Sequence, residues 1–278
     1  MELWFEESTP EGWGLKVRLE RTLESVQSQF QRIDLYQTSG MGKLLVIDGK
    51  VQLCELDEFT YHEMLAHVPL LCHPAPRRVM VVGGGDGGTM REVLAHPSVE
   101  RAVLVEIDPE VVRVCREHLP TLSGRLGDPR VEIVAADAAE YMRTARDFDA
   151  ILVDSSDPVG PSEVLFSGGF YSDLRQALTP QGVMAMQSGS PFFYLEQIVG
   201  AVRGLKEQFR HVRPLIVPVP TYPSGTWSLV AASLGEDLEL GADELARRYR
   251  ERGLQTRWYS PQMHRASLAL PPFLEQAL

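Results

Sequence analysis

The sequence has few cysteines. Only three occur, Cys54, Cys72 and Cys115, an odd number with wide spacing. This pattern fits neither a disulfide framework nor a Cys-x-x-Cys metal or redox motif. We therefore expect free thiols in a reducing compartment, which predicts a cytoplasmic location.

Long apolar runs are absent as well. No uninterrupted stretch approaches the roughly 18 apolar residues that a membrane-spanning helix needs. The acidic N-terminus lacks the basic and apolar regions of a signal peptide. We therefore expect a soluble protein with no membrane partner.

Positive charge is also in short supply, because 27 Lys and Arg residues face 38 Asp and Glu residues, for a net charge of −11. Such a field repels the phosphates of nucleic acids and anionic lipids. We therefore expect no nucleic-acid partner and favour cationic small molecules. The 278 residues are 44% hydrophobic and 23% charged, a globular balance that excludes disordered and fibrous classes.

Two kinds of strand pattern follow one another along the chain. Residues 1–54 combine β-branched residues with turn signals such as Asp48-Gly49, which predicts a small N-terminal antiparallel β domain. A predicted helix over 55–71 marks the boundary. From residue 77 onward, solid apolar strands alternate with helices, and such strands are buried on both faces. We therefore predict a second domain over 55–278 with an α/β fold and a mostly parallel sheet.

A glycine-rich turn joins the first of these strands to its helix. Gly83, Gly85 and Gly88 satisfy the G-x-G-x-x-G spacing in the strand-to-helix context of a nucleotide-binding turn. Thr89 and Glu92 have the Thr-x-x-Glu pattern of a capping box, which predicts that the helix begins directly after the turn. The turn alone does not distinguish a dinucleotide from an S-adenosyl ligand.

Carboxylates follow four consecutive strands of the predicted sheet. Because parallel strands end at the same edge, the topology gathers these side chains in one crevice. They are Asp86, Glu106, Asp137, Asp154 and Asp157. Their mutual repulsion is costly unless a cation offsets it, so the sequence predicts a pocket for positive charge.

Individual carboxylates narrow the choice of ligand. Asp86, inside the turn, opposes a pyrophosphate and attracts an ammonium or a sulfonium. Glu106 has the spacing typical of an acidic residue that binds two ribose hydroxyls. Asp108, followed by Pro109, is interpreted as a helix N-cap. Asp137 either caps the next helix or accepts a hydrogen bond from an adenine amine, and both interpretations stay open.

These motifs together resemble those of one family. The chain is similar to the polyamine aminopropyltransferases from about Trp4 to the C-terminal HRASLALP, in the segments GGGDGGTMREVLAHPSVE, VEID, DSSDPVGP, LFSGGFY and TYPSG. The resemblance implies a Rossmann-like, methyltransferase-type domain beside a small N-terminal antiparallel β domain. It also implies transfer of an aminopropyl group from decarboxylated S-adenosylmethionine to putrescine, which gives spermidine and methylthioadenosine.

The resemblance also assigns roles to positions of this chain. It implies nucleoside contacts from Gln31, Gly83, Gly84, Gly85, Asp86, Glu106, Asp137, Ala138 and Pro161. It implies amine contacts from Tyr61, His62, Asp86, Asp154, Ser155, Ser156, Asp157 and Tyr222. Asp154 is the implied proton acceptor, with Tyr61 as an orienting hydrogen-bond partner.

The sequence leaves alternatives to putrescine as the acceptor and to aminopropyl transfer as the reaction. Gly189 stands where many relatives carry an acidic or polar residue, so agmatine, cadaverine or a longer polyamine are further candidate acceptors. An S-adenosylmethionine methyltransferase and a non-catalytic nucleoside- or polyamine-binding module are rival functions, and a dinucleotide dehydrogenase comes last.

We expect no metal and no resident cofactor. Decarboxylated S-adenosylmethionine is a co-substrate, and its sulfonium already activates the leaving group. His62 and His67 are five residues apart, whereas the zinc protease motif needs histidines four apart. The relatives are dimers or tetramers, so the resemblance implies a homodimer or homotetramer.

Overall fold

The chain begins with a five-stranded antiparallel sheet. The computed structural model describes residues 2–9, 12–157 and 160–278, and the side chain of Pro161 lies outside the described part. The strands pair in sequence order. They are β1 (Leu3–Ser8), β2 (Gly14–Gln27), β3 (Arg32–Thr38), β4 (Lys43–Ile47) and β5 (Lys50–Cys54). The predicted division into domains at residues 1–54 and 55–278 stays a prediction.

A second sheet has seven strands in the order β11-β12-β10-β9-β6-β7-β8. Five neighbouring strands of this order are parallel, namely β8, β7, β6, β9 and β10. Strands β12 and β11 extend the sheet as antiparallel strands. Their bounds are β6 (Arg78–Gly83), β7 (Arg101–Glu106), β8 (Val131–Ala135), β9 (Phe148–Asp154), β10 (Leu178–Gly189), β11 (His211–Pro218) and β12 (Thr226–Ser233). The predicted fold class, a Rossmann-like mostly parallel sheet beside a small antiparallel sheet, is confirmed.

Helices cover the second sheet. Among the described residues, none of them combines the length and the apolar character needed to cross a membrane. Their bounds are α1 (Glu58–Cys72), α2 (Gly88–Val93), α3 (Pro109–His118), α4 (Pro120–Ser123), α5 (Ala138–Thr144), α6 (Gly168–Ala177), α7 (Leu195–Lys206), α8 (Ala242–Glu251), α9 (Pro261–Ser267) and α10 (Pro272–Glu275).

The central strands are buried on both faces, as their solid apolar sequences predict. In β6, Val79 and Val81 pack in one core with residues of α1, whereas Met80 and Val82 pack in the other core with residues of α6 and α7. The alternation follows from the two-residue period of a strand. Helices therefore cover both sides of the sheet.

The capping box predicted at the start of α2 is wrong. The helix begins at Gly88, and its N-cap is Gly87, with a φ of 87° and no side-chain cap. The Thr89 hydroxyl instead donates to Asp154, and the Glu92 carboxylate accepts from Arg91. A left-handed glycine ends the turn, so both side chains are free to form contacts with other elements.

A topological switch point lies between β6 and β9. From β6 the chain continues outward through β7 and β8, whereas from β9 it continues through β10 on the other side. Gly83, at the end of β6, lies opposite Asp154, at the end of β9. Ligands of open α/β sheets bind in the crevice outside the carboxyl ends at such a point.

The N-terminal sheet forms one wall of this crevice. Ile33, Leu35, Leu45 and Leu53 share a core with residues of α3 and α4. Polar contacts also join the two sheets, because Ser28 and Gln31 donate to Asp108 at 2.7 and 3.0 Å. The antiparallel sheet is thereby fixed beside the carboxyl ends of the parallel strands.

Helix α1 is buried on all sides, so its polar side chains need internal partners. Glu63 is 3% exposed. Its carboxylate accepts three backbone N–H groups, from Arg257, Trp258 and Tyr259, at 2.8, 2.8 and 2.7 Å. This one side chain therefore anchors the C-terminal segment to α1.

Replacing Glu63 with glutamine is expected to lower the free energy of unfolding by about 2–4 kcal/mol. The amide keeps the size of the side chain but replaces one acceptor oxygen with a donor that opposes backbone N–H groups. Urea unfolding at a fixed protein concentration measures the change. The matched control is Glu251→Gln, whose carboxylate bonds the exposed Arg247. Equal stability of the two variants would contradict the anchoring role.

Candidate active site

A cavity of about 920 Å³ opens at the carboxyl ends of the parallel strands. Every described residue to which the sequence analysis assigned a nucleoside or amine contact lines it. These residues are Gln31, Tyr61, His62, Gly83, Gly84, Gly85, Asp86, Glu106, Asp137, Ala138, Asp154, Ser155, Ser156, Asp157 and Tyr222. The contact predicted for Pro161 falls on a side chain outside the described part. The chain therefore gathers the predicted nucleoside and amine residues around one space.

The glycine-rich turn packs directly against the end of β9. A Cβ atom on Gly83 would lie 2.3 Å from the Asp154 backbone oxygen, and one on Gly84 would lie 2.8 Å from Asp154 Oδ2. Both residues also have a positive φ, 73° and 65°. Only glycine tolerates this combination of backbone conformation and contact. The turn thus brings its backbone amides and the Asp154 side chain to the same point.

Asp154 lies at the centre of the cavity. Tyr61 Oη donates to Asp154 Oδ1 at 2.9 Å, and Thr89 Oγ1 donates to Asp154 Oδ2 at 2.6 Å. Burial raises the pKa of the carboxyl, and the charge of Asp86 raises it further. His62 and the two hydroxyl donors oppose this rise without cancelling it. A raised pKa makes the carboxylate a stronger base than an exposed aspartate.

His62 belongs to a buried ion network rather than to a helix surface. His62 Nδ1 is 2.7 Å from Glu58 Oε2, which also accepts from Arg91 at 2.9 Å. On the other side, His62 Nε2 is 3.5 Å from Asp86 Oδ1. Burial alone would lower the pKa of His62, but Asp86 and Glu58 outweigh it and raise the pKa to about 9. At neutral pH the ring is therefore an imidazolium that partly offsets the acidic wall.

His62, Asp86 and Asp154 also offer one ligand atom each within 4.8 Å of one another. A metal ion needs a neutral imidazole, whereas the surrounding carboxylates stabilise the protonated ring of His62. The hydrogen-bonded carboxylate oxygens suit an ammonium, which donates to such acceptors.

One end of the cavity is called the nucleoside end because the family resemblance predicts nucleoside contacts there, and Glu106 and Asp137 line it. Glu106 Oε1 accepts from the Asp108 backbone N–H at 3.0 Å, and burial raises the pKa of its carboxyl to about 7. Asp137 Oδ1 accepts from the Ala139 N–H at 2.7 Å, so the capping alternative is confirmed. The N-cap predicted for Asp108 is confirmed as well, since it accepts from the Glu110 N–H.

The other end is called the amine end because the family resemblance predicts amine contacts there, and Asp157 and aromatic side chains line it. Burial raises the pKa of the Asp157 carboxyl. The Gln187 side-chain amide donates to Asp157 Oδ1 at 3.5 Å, and this hydrogen bond acts against the rise. The rings of Tyr61 and Trp227 lie 6.1 and 4.8 Å from that of Tyr222. The Tyr222 hydroxyl donates to the Gln52 backbone oxygen of the N-terminal sheet. Carboxylate and aromatic faces together suit an alkylammonium chain.

The sequence analysis missed several residues that line or support the cavity. Those absent from its expectations are Glu7, Lys50, Glu58, Arg91, Gln187 and Trp227. The four-residue spacing of Glu58 and His62 was the one usable signal, because such pairs share a helix face. Gly189 is not among the described lining residues, and its φ of 91° favours glycine on conformational grounds. The residue type at 189 therefore says little about the acceptor.

Two protein-family descriptions match the chain. The Spermine/spermidine synthase domain matches residues 58–239, and the Spermidine synthase tetramerisation domain matches residues 3–55. The polyamine aminopropyltransferase of Bacillus cytotoxicus is 43% identical over 276 residues, covering 99% of this chain and 98% of the relative. That of Bacillus subtilis is 38% identical over 278 residues, covering 100% of this chain and 99% of the relative.

Solved structures give the same assignment. A spermidine synthase in complex with the transition state analogue AdoDATO superimposes with a TM-score of 0.95 at 39% identity, covering 99% of this chain and 94% of that one. Spermidine synthase from Thermotoga maritima gives a TM-score of 0.92 at 38% identity, covering 99% and 93%. The chain is therefore an enzyme of the spermine/spermidine synthase family, the polyamine aminopropyltransferases.

Proposed function

We propose that the protein transfers the aminopropyl group of decarboxylated S-adenosylmethionine to putrescine, giving spermidine and methylthioadenosine. The observation that carries this proposal is the position of Asp154, a hydrogen-bonded carboxylate at the switch point inside an acidic cavity. A neighbour of similar fold binds the transition state analogue AdoDATO, which supports the same use of this cavity.

The donor suits the charges of the cavity. Glu106 is placed to accept hydrogen bonds from ribose hydroxyls, and Asp86 faces the space between the glycine turn and His62. Decarboxylated S-adenosylmethionine carries a sulfonium and an ammonium but no carboxylate. Asp86 therefore attracts it, whereas the carboxylate of S-adenosylmethionine meets a like charge. This difference favours aminopropyl transfer over methyl transfer.

The transfer is an in-line displacement. Asp154 accepts a proton from one end of the diamine, and the freed nitrogen lone pair attacks the methylene carbon bonded to sulfur. A C–N bond forms while the C–S bond breaks, and its electron pair returns to sulfur to give the neutral thioether. The product leaves as a secondary ammonium. The sulfonium is already an activated leaving group, so we propose that no metal takes part and that positioning supplies most of the acceleration.

The amine end of the cavity supports a short diamine. Glu7 and Lys50 line it, with Lys50 Nζ 3.6 Å from Glu7 Oε1. Both charges act on Asp157. Burial makes the largest contribution to the raised pKa of Asp157; the charge of Glu7 raises this pKa further, and the charge of Lys50 lowers it. Lys50 neutralises Glu7, which would otherwise attract the additional ammonium of a longer polyamine. This arrangement favours putrescine over triamines as acceptor.

An amine panel tests the proposal. Purified protein with decarboxylated S-adenosylmethionine and putrescine, cadaverine, agmatine or spermidine should release methylthioadenosine, with the highest kcat/KM for putrescine. We expect a preference of up to about fivefold over spermidine, the effect of one screened charge. Lys50→Gln should reduce this ratio toward one, while Lys16→Gln, a lysine of the same sheet paired with Glu6, should preserve it.

The outcomes separate the parts of the proposal. A different preferred amine would overturn putrescine as the acceptor but not aminopropyl transfer. Absence of methylthioadenosine with every amine would overturn the transfer itself. An unchanged ratio in Lys50→Gln would remove Lys50 from acceptor selection.

We also propose that the protein is a homo-oligomer and that it is cytoplasmic. The match of residues 3–55 to a tetramerisation domain supports a homo-oligomer. Strand β1 is an edge of its sheet, with Leu3 46% and Trp4 40% exposed, and such an edge suits association with another copy. The three cysteines are free and buried, which supports a cytoplasmic location.

A further inference from the structure

The two oxygens of the Asp154 carboxylate are held by two different hydroxyl groups. Tyr61, from α1, holds Oδ1, and Thr89, from the first turn of α2, holds Oδ2 at the shorter distance of 2.6 Å. Thr89 is completely buried, whereas Asp154 is partly exposed to the cavity. Thr89 thus contacts the carboxylate from the protein interior, whereas Asp154 itself lines the cavity.

Thr89 has no role in starting its own helix. The N-cap of α2 is Gly87, without a side-chain cap hydrogen bond. A threonine near a helix start commonly uses its hydroxyl for the backbone of that helix. Here the hydroxyl crosses to β9 instead. The glycine cap leaves the Thr89 hydroxyl available for Asp154.

A buried hydroxyl donor has two effects on a carboxylate. It stabilises the ionised form, which is the form that accepts a proton. It also fixes the rotation of the carboxylate and leaves a defined set of lone pairs for a second donor. Asp154 needs both effects, because burial and Asp86 favour its neutral form.

We propose that Thr89 is a positioning residue for Asp154, which holds the carboxylate ionised and directed toward the acceptor amine. This inference rests on the proposed function, in which Asp154 is the proton acceptor. The other titratable groups that face Asp154 are Asp86 from the turn, His62 and Tyr61 from α1, and Tyr222. Tyr61 donates to Asp154 Oδ1, and Thr89 is the side-chain donor to Oδ2 among the described residues.

The test compares Thr89→Val, which keeps the shape and removes the donor, with Thr89→Ser, which restores the donor. Removing the donor raises the pKa of Asp154, so the base stays protonated to a higher pH. We expect the acidic limb of the kcat/KM profile to move to higher pH in Thr89→Val, with about a tenfold loss of kcat at neutral pH. Thr89→Ser should return the limb to its original position.

Thr179→Val is the matched control. Thr179 donates to Asp149 at 3.3 Å, a second hydroxyl-carboxylate pair between β10 and β9, on a carboxylate outside the described cavity lining. Its removal should leave the pH profile unchanged. If Thr89→Val lowers kcat with no movement of the acidic limb, or if Thr89→Ser behaves like Thr89→Val, Thr89 contributes packing alone and the proposal is overturned.

A measurement without turnover keeps this inference separate from the reaction. The infrared carboxyl band of Asp154, assigned by its loss in Asp154→Asn, should titrate at a higher pH in Thr89→Val than in the parent protein. This shift is expected whether or not any amine is a substrate. An unmoved band overturns the role of Thr89, whereas a moved band in a protein inactive with every amine overturns the proposed function alone.

Discussion

Asp154→Asn is expected to lower kcat by about 10³-fold, because the amide keeps the size of the side chain but cannot accept the proton. The nucleoside end of the cavity is built from other residues, among them Glu106 and Asp137. Methylthioadenosine should therefore bind within about threefold of its original affinity, a change of less than about 1 kcal/mol. The loss belongs to the chemical step and not to assembly of the site.

Two measurements separate these effects. Release of methylthioadenosine at saturating donor and putrescine gives kcat, and calorimetric titration with methylthioadenosine gives the affinity of the nucleoside end. Asp147→Asn is the control, since Asp147 is exposed directly before the same strand and has a φ of 64°, which asparagine tolerates. A variant that keeps more than about a tenth of the parent kcat would remove Asp154 from the role of base.

The parts of the fold that could be predicted are those set by local physics. The Asp48-Gly49 turn has φ values of 48° and 76°, the left-handed conformations that a two-residue hairpin requires. The apolar strands could be placed in a parallel sheet because both of their faces are buried. Once the sheet was parallel, topology alone brought Asp86, Glu106 and Asp154 to one edge.

The parts that could not be predicted depend on contacts between distant segments. Glu7 and Lys50 reach the cavity from the N-terminal sheet, and no local pattern indicates which of its side chains face the other sheet. The burial of His62 could not be predicted for a similar reason, since α1 carries buried polar and apolar residues alike around its circumference. The contacts of His62 with Glu58 and Asp86 show that the tertiary structure sets the environment of this side chain.

The capping box shows how a local pattern loses to a tertiary one. Thr89 and Glu92 have the right spacing to cap α2, but Gly87 and Gly88 start the helix without them. Thr89 is then used by Asp154, and Glu92 by Arg91 and His67. A buried carboxylate without a donor costs more free energy than a missing cap, so the hydroxyl serves the carboxylate.

Asp86→Asn is expected to change the choice of donor. Asp86 lies 3.5 Å from His62 on the cavity wall, and its Oδ1 is held by the Gly88 N–H at 2.7 Å. Removing its charge should lower kcat/KM for decarboxylated S-adenosylmethionine by about 10²-fold, because a partly buried partner of the donor cation is lost. The same change removes the repulsion of the carboxylate of S-adenosylmethionine, whose relative affinity should rise by a similar factor.

Calorimetric titration of both ligands into Asp86→Asn and Glu106→Gln separates charge selection from general binding. The two ligands share the ribose, so Glu106→Gln should weaken both equally and leave their affinity ratio unchanged. Asp86→Asn should move that ratio by about 10²-fold toward S-adenosylmethionine. If the ratio moves equally in both variants, or in neither, then selection between the ligands does not come from the charge at Asp86. Discrimination against methyl transfer would in that case have to arise from the shape of the cavity around the sulfonium substituents.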